Sequence, residues 1–178
     1  MDGLWKGGFL RAAKYNAETN GAMYAALGGL SEKALAADRG SYFESLIGIL
    51  NHLLVTDIHW LDRYRALSPG AAALNDGRLD AFDLSWAPVS GDFAVLAEKR
   101  PVVDAVIRDW FDEYPEEGYG ARFSYRDSKG AMHESAAARA FDFLFLHQAH
   151  HRGQVSLVMD SLGLKHDFAN NGEYLTKG

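Results

Sequence analysis

The run HQAHHRGQ, residues 147–154, places three of the chain's seven histidines within five positions, directly after the apolar stretch FDFLFL of residues 141–146. Neutral imidazole nitrogens ligate divalent transition metals, and two histidines at i and i+4 on a helix stand one turn apart, close enough to share one ion. The rival reading is a pair of core-edge histidines hydrogen-bonded to backbone or water. Which rings point inward separates the possibilities.

An α-helix turns about 100° per residue. With His147 at zero, Leu144, His147, His151, Val155, Val158 and Leu162 fall within an arc of roughly 80°, so His147 and His151 lie on the expected core stripe. His150 sits roughly 100° from the middle of that stripe and is expected to face elsewhere. A third ligand must come from another helix. His52 and His59 lie seven residues apart and share nearly one face of an earlier helical segment, whereas His133 and His166 occupy less regular surroundings. The apolar stripe of that earlier segment, Leu46, Leu50, Leu53, Leu54 and Leu61, leaves His52 well over a right angle from its middle. Spacing alone does not select His52.

Four segments read as the long helices that must position these rings. The first spans about Phe9 to Leu27 and stops at Gly28-Gly29, with a short extra turn expected at residues 30–35. The second begins after Gly40-Ser41, where Ser41 and Glu44 have capping-box spacing, and stops at Ser68-Pro69-Gly70. Residues 71–90 read as a loop. The third helix runs from near Ser90 to Tyr114-Pro115, with Pro101 predicting a kink or break near Arg100. From Arg122 to Glu134, Phe123 and Tyr125 alternate before the polar turn at residues 127–130, which predicts a short hairpin. The fourth helix covers about Ser135 to Leu162 and ends at Gly163. The expected fold is therefore all-α: an antiparallel four-helix bundle with a short β-hairpin before the last helix, one domain over residues 1–178.

Composition narrows the chemistry. The chain has no cysteine, which removes disulfides, thiolate ligands and a cysteine nucleophile together. A metal would be held by His, Asp or Glu, a donor set suited to zinc, nickel, iron or manganese rather than cuprous copper. A net charge of −6, with no Lys/Arg cluster, argues against nucleic acid as a partner. No stretch has the length of a membrane span, and the first residues do not read as a signal peptide, so a cytoplasmic protein is expected. No Gly-rich phosphate loop and no Gly-x-Ser-x-Gly elbow is present.

Two polar groups stand in expensive or suggestive places. Asp57 falls near the middle of the second helix's apolar arc, where an unpaired carboxylate is costly. It either supports a ligating imidazole or links helices, or it forms a salt bridge with Arg63 or Arg152 without a metal role. Gln148, Arg152 and Gln154 read as surface groups, and Glu113, Glu116 and Glu117 as a solvated acidic cluster. Trp60, Tyr64, Trp86 and Trp110 read as packing residues.

The segments RGSYFESLIGILNHLLVTDIHWLDRY (Arg39–Tyr64) and FLFLHQAHHRGQVSLVMDSLG (Phe143–Gly163) resemble the DinB/YfiT-like family of metal-binding four-helix bundles. YNAETNGAMYAALGGLSEKAL looks like that family's opening helix. The resemblance implies that His52 joins His147 and His151 around a divalent cation, nickel or zinc first, with iron or manganese as further candidates. Three histidines leave a coordination position open, the arrangement of a catalytic rather than a closed structural site. The family further implies a thiol transferase, or a related isomerase or hydrolase, acting on a low-molecular-weight thiol, and a homodimer formed through helical faces. The alternative it allows is a non-catalytic, stress-associated metal-binding bundle. No catalytic residue is assigned at this level.

Overall fold

Helices form where apolar residues recur every three or four positions, and they end where a cap or a left-handed glycine stops them. In the computed structural model, which describes residues 3–168, α1 spans Leu4–Leu27, α2 Glu32–Ala36, α3 Leu46–Tyr64, α4 Ala72–Asn75, α5 Phe93–Glu113 and α6 Ala137–Ser161. A 3-10 turn at Glu116–Gly120 and two strands, β1 (Arg122–Arg126) and β2 (Met132–Ala136), lie between α5 and α6. The fold is mostly helical, with one small antiparallel hairpin before the last helix. The expected domain of residues 1–178 extends at residues 1–2 and 169–178 outside the described residues. Among the described residues no helix is long and apolar enough to cross a membrane.

Local chemistry sets most boundaries. Gly163 takes a left-handed φ of 68° after α6, and Gly163 N–H and Leu164 N–H donate to the Asp160 and Met159 carbonyls, a Schellman ending. The capping box expected at Ser41 and Glu44 does not form. Those two residues pair across a tight turn, and Ser45 caps α3 instead, its Oγ accepting from Gly48 N–H at 3.1 Å. The reason is steric: the turn at 41–45 folds back over the helix start. A Cβ at position 48 would come within 2.0 Å of the Phe43 carbonyl oxygen, so only glycine fits there. No break occurs at Pro101, through which α5 runs continuously. The acidic cluster is not all solvated either. Glu116 accepts from Trp5 and Lys6 N–H at 3.0 and 2.8 Å, and so caps α1 from a distance, where Gly3 has no side chain to do so.

Each of α1 and α3 packs against both α5 and α6. At one end of the core Phe141 of α6 stands edge-on to Phe9, Tyr64, Trp110, Phe111, Tyr114 and Tyr119, which ties α6 to α1, α3, α5 and the 3-10 turn. The hairpin register, Phe123 opposite Ser135 and Tyr125 opposite His133, turns Phe123 into the core and lays Tyr125 against Trp60.

The middle of the core is polar. Arg100 of α5 donates to Asp57 of α3 at 2.7 Å and in two-pronged fashion to Asp104 of α5 at 2.8 and 3.1 Å. Asp104 also accepts from Asn16 and Asn20 of α1 at 3.3 and 3.0 Å. Arg152 of α6 donates to Asn16, Asn20 and Gln148, and Gln148 donates to Asp57. Asp57, Arg100, Asp104, Gln148 and Arg152 are all buried. The bonds of Asp57 are thus those of a helix-linking group whose cation is Arg100, not Arg63 or Arg152. Gln148 and Arg152, expected at the surface, sit in the interior. Burial raises the Asp57 carboxyl above the ordinary carboxylate range, and Arg100 and Gln148 oppose that rise.

Removing one member of a buried ion pair strands the other without water. Arg100→Met should therefore destabilise the protein by about 3–5 kcal/mol in urea denaturation, and a loss below about 1 kcal/mol, as for an exposed pair, would show that the pair does not hold α3 to α5.

Candidate metal centre

Three imidazoles from two helices meet at one point. His52 Nε2 of α3 lies 2.9 Å from His147 Nε2 of α6, and His151 Nε2 lies 3.1 Å from the same atom. One ligand-capable nitrogen from each of the three residues falls within 4.8 Å of the other two. Imidazole nitrogens at about 2.0–2.1 Å from one tetrahedral zinc stand about 3.3–3.4 Å apart, so small side-chain adjustments admit an ion to this cluster. The donor set fits a divalent cation.

His52 gets there by a route that a helical wheel does not anticipate. The wheel assumes one buried face, yet α3 is buried nearly all round, with Asn51, Val55, Thr56 and His59 enclosed as well as the leucine stripe. Residues 86–90 cover Asn51 and His59, and in the 41–45 turn Phe43 stacks on the His52 ring at 4.1 Å and meets His151 edge-on at 5.3 Å. On α6 the buried side chains extend past the apolar stripe to Gln148 and Arg152, roughly 100° and 140° from His147. That shift leaves His147 and His151 at the edge of the core, facing α3, rather than in its centre.

Charge is suppressed at the cluster. Burial, with the nearby His151, His52 and His150 rings, pushes His147 down to about 3. Burial and His151 push His52 down to about 4. Burial also lowers His151, although its bond to Gln154 works in the opposite direction. Neutral rings with free lone pairs are the metal-binding form.

The proton on His151 has a defined place. Its Nδ1 lies 2.7 Å from Gln154 Oε1, an acceptor, which puts the hydrogen on Nδ1 and leaves Nε2 free to ligate. The Gln154 amide nitrogen in turn faces exposed His150 Nε2 at 3.3 Å. The sequence signal for this role was present as an i, i+3 pair on one helix, but it reads equally well as a surface glutamine. His147 Nδ1 is buried and makes no hydrogen bond.

Of the other histidines, exposed His150 lies edge-on to His151 at 4.8 Å, and the remaining three stay away from the cluster. His59 stacks on Trp86 at 3.6 Å, His133 bonds Asp127 at 2.8 Å on the hairpin, and His166 bonds Asp160 at 3.1 Å. A cavity of about 390 Å³ opens beside His52, walled by Phe43, Glu44, Val55, Trp86 and Pro88. Glu44 and Trp86 are the non-glycine residues with positive φ among those described, both at 62°, and both line this cavity. Backbone strain of that kind costs of the order of 1–3 kcal/mol and concentrates at functional sites. Trp86 thus serves as cavity wall rather than core.

A family model described as the DinB family matches residues 8–176, nearly the whole chain. No curated protein and no solved structure matches it.

Calorimetric titration with nickel should show binding lost in His52→Ala, His147→Ala and His151→Ala and retained in His59→Ala and His150→Ala; loss in His59→Ala with retention in His52→Ala would reassign the third ligand. Gln154→Ala should weaken the metal about 10–100-fold, and unchanged affinity in that titration would mean that Gln154 does not orient His151.

Proposed function

Because the chain belongs to the DinB family, we propose that it is a metal-dependent enzyme. It holds one divalent cation, nickel or zinc, on His52, His147 and His151 and acts on a low-molecular-weight thiol, as a thiol transferase or thiol-dependent isomerase. Iron and manganese are the further candidates for the ion. In this reading the four long helices form an antiparallel bundle, and the protein works in the cytoplasm as a homodimer. The observation that carries it is the convergence of three imidazoles beside a cavity open to solvent.

A bound divalent cation would supply Lewis acidity, favouring the deprotonated form of a thiol or water at the position the protein leaves free. The remaining work belongs to side chains. Phe43 and Val55 exclude water beside His52, and Trp86 presents a flat apolar wall to the body of a substrate. Glu44 brings a carboxylate to the same wall, placed to hold an amine or another cationic group of the thiol. Gln154 keeps the His151 proton on Nδ1 and away from the reacting side.

Nickel- or zinc-loaded protein given a panel of small thiols with an alkylating electrophile should consume thiol with saturation, and His52→Ala should abolish that turnover. Stoichiometric metal without turnover across the panel would favour the non-catalytic, stress-associated reading.

A further inference from the structure

Arg100 and Arg152 are both buried, at 2% and 4% exposure, but only Arg100 touches carboxylates among the described residues. Arg100 lies between two carboxylates. Arg152 meets no carboxylate among the described residues. Its hydrogen bonds to the described residues all leave from Nη1 and end on the neutral amide oxygens of Asn16, Asn20 and Gln148. Among the described residues Nε and Nη2 make no hydrogen bond, and burial opposes the charge. Asp104 and Asp57 favour its charge from beyond contact and its guanidinium lies 5.8 Å over the Tyr15 ring, yet a buried guanidinium that touches no carboxylate gains from an anion that reaches it.

Access is provided by a groove between α1 and α6. It has a volume of about 380 Å³, within the usual size of small-molecule sites, and Arg152 forms part of its wall. The rest is largely apolar, with Trp5, Phe9, Phe145 and Leu146 along its length and Gly8 leaving it open. A Cβ at Gly8 would meet no atom within 4 Å. The groove uses the side of α6 roughly 140–260° round from His147, so it is separate from the histidine cluster.

We propose that this groove binds a small organic anion with an apolar body, a medium-chain carboxylate being the simplest case, with Arg152 as the receptor for its charge. The guanidinium fork matches a carboxylate in shape, and the aromatic walls take the chain. Asp142 at the groove margin opposes an anion and so limits affinity.

The test is calorimetric titration of the full chain with octanoate, 1-octanol and octylammonium, before and after metal removal with a chelator. Octanoate should bind one to one, about tenfold or more tighter than octanol, with octylammonium silent and metal removal without effect. Gly8→Leu should abolish binding by filling the groove without touching the buried network, and Asp142→Asn should tighten it severalfold. Arg152→Gln should remove the preference for octanoate over octanol. Equal binding of octanoate and octanol, no saturation, binding that survives Gly8→Leu, or binding that disappears with the metal would each overturn the proposal. So would a dimer dissociated by Gly8→Leu, which would give the groove to a second copy of the chain.

Discussion

The hydrogen-bonded ion network around Arg100 is the constraint on which the rest of the structure depends. Taking carboxylates and guanidinium groups out of water costs several kcal/mol for each ion, and their attraction repays this only in a geometry that satisfies most of their bonds. Here the partners come from α1, α3, α5 and α6, so one relative placement of four helices meets the requirement. Apolar contacts alone tolerate sliding and rotation, whereas a shared set of fixed donors and acceptors does not. Asp57 is the joint between α3 and α6, through Gln148, the residue beside His147.

That joint explains how two separated stretches of sequence present three rings to one point. The network registers α3 against α6, and the rings at its margin inherit the register. Desolvation and the crowding of the rings both push His52 and His147 toward the neutral form. The tight turn over the start of α3 completes the enclosure, because Phe43 covers His52 and Gly48 leaves room for the Phe43 carbonyl. The three rings are supported unequally. Gln154 fixes the tautomer of His151, while His147 Nδ1 faces no acceptor and His147 is held by packing, including a 5.7 Å stack with Phe143.

Strain and exposed apolar surface are distributed unevenly over the molecule. Glu44 and Trp86 hold left-handed backbones beside the cavity at His52, and the apolar groove lies on the far side of α6. A rigid polar middle separates the two.

The helical class, a hairpin at 122–134 and the placement of His147 and His151 on one face were legible in the sequence, since all three follow from periodicities and turn signals local in the chain. It also carried the family resemblance that pointed to His52. Only the tertiary structure decided why His52 faces the pair. A wheel reads burial from apolar residues on one face, and α3 is enclosed on further faces by the turn before it, which covers His52, and by residues 86–90, which meet His59 and Asn51. The same limit hid the roles of Arg100, Asp104, Gln148 and Arg152. A charged residue is buried when partners from other helices satisfy it, and those partners are fixed by packing, not by spacing within one helix.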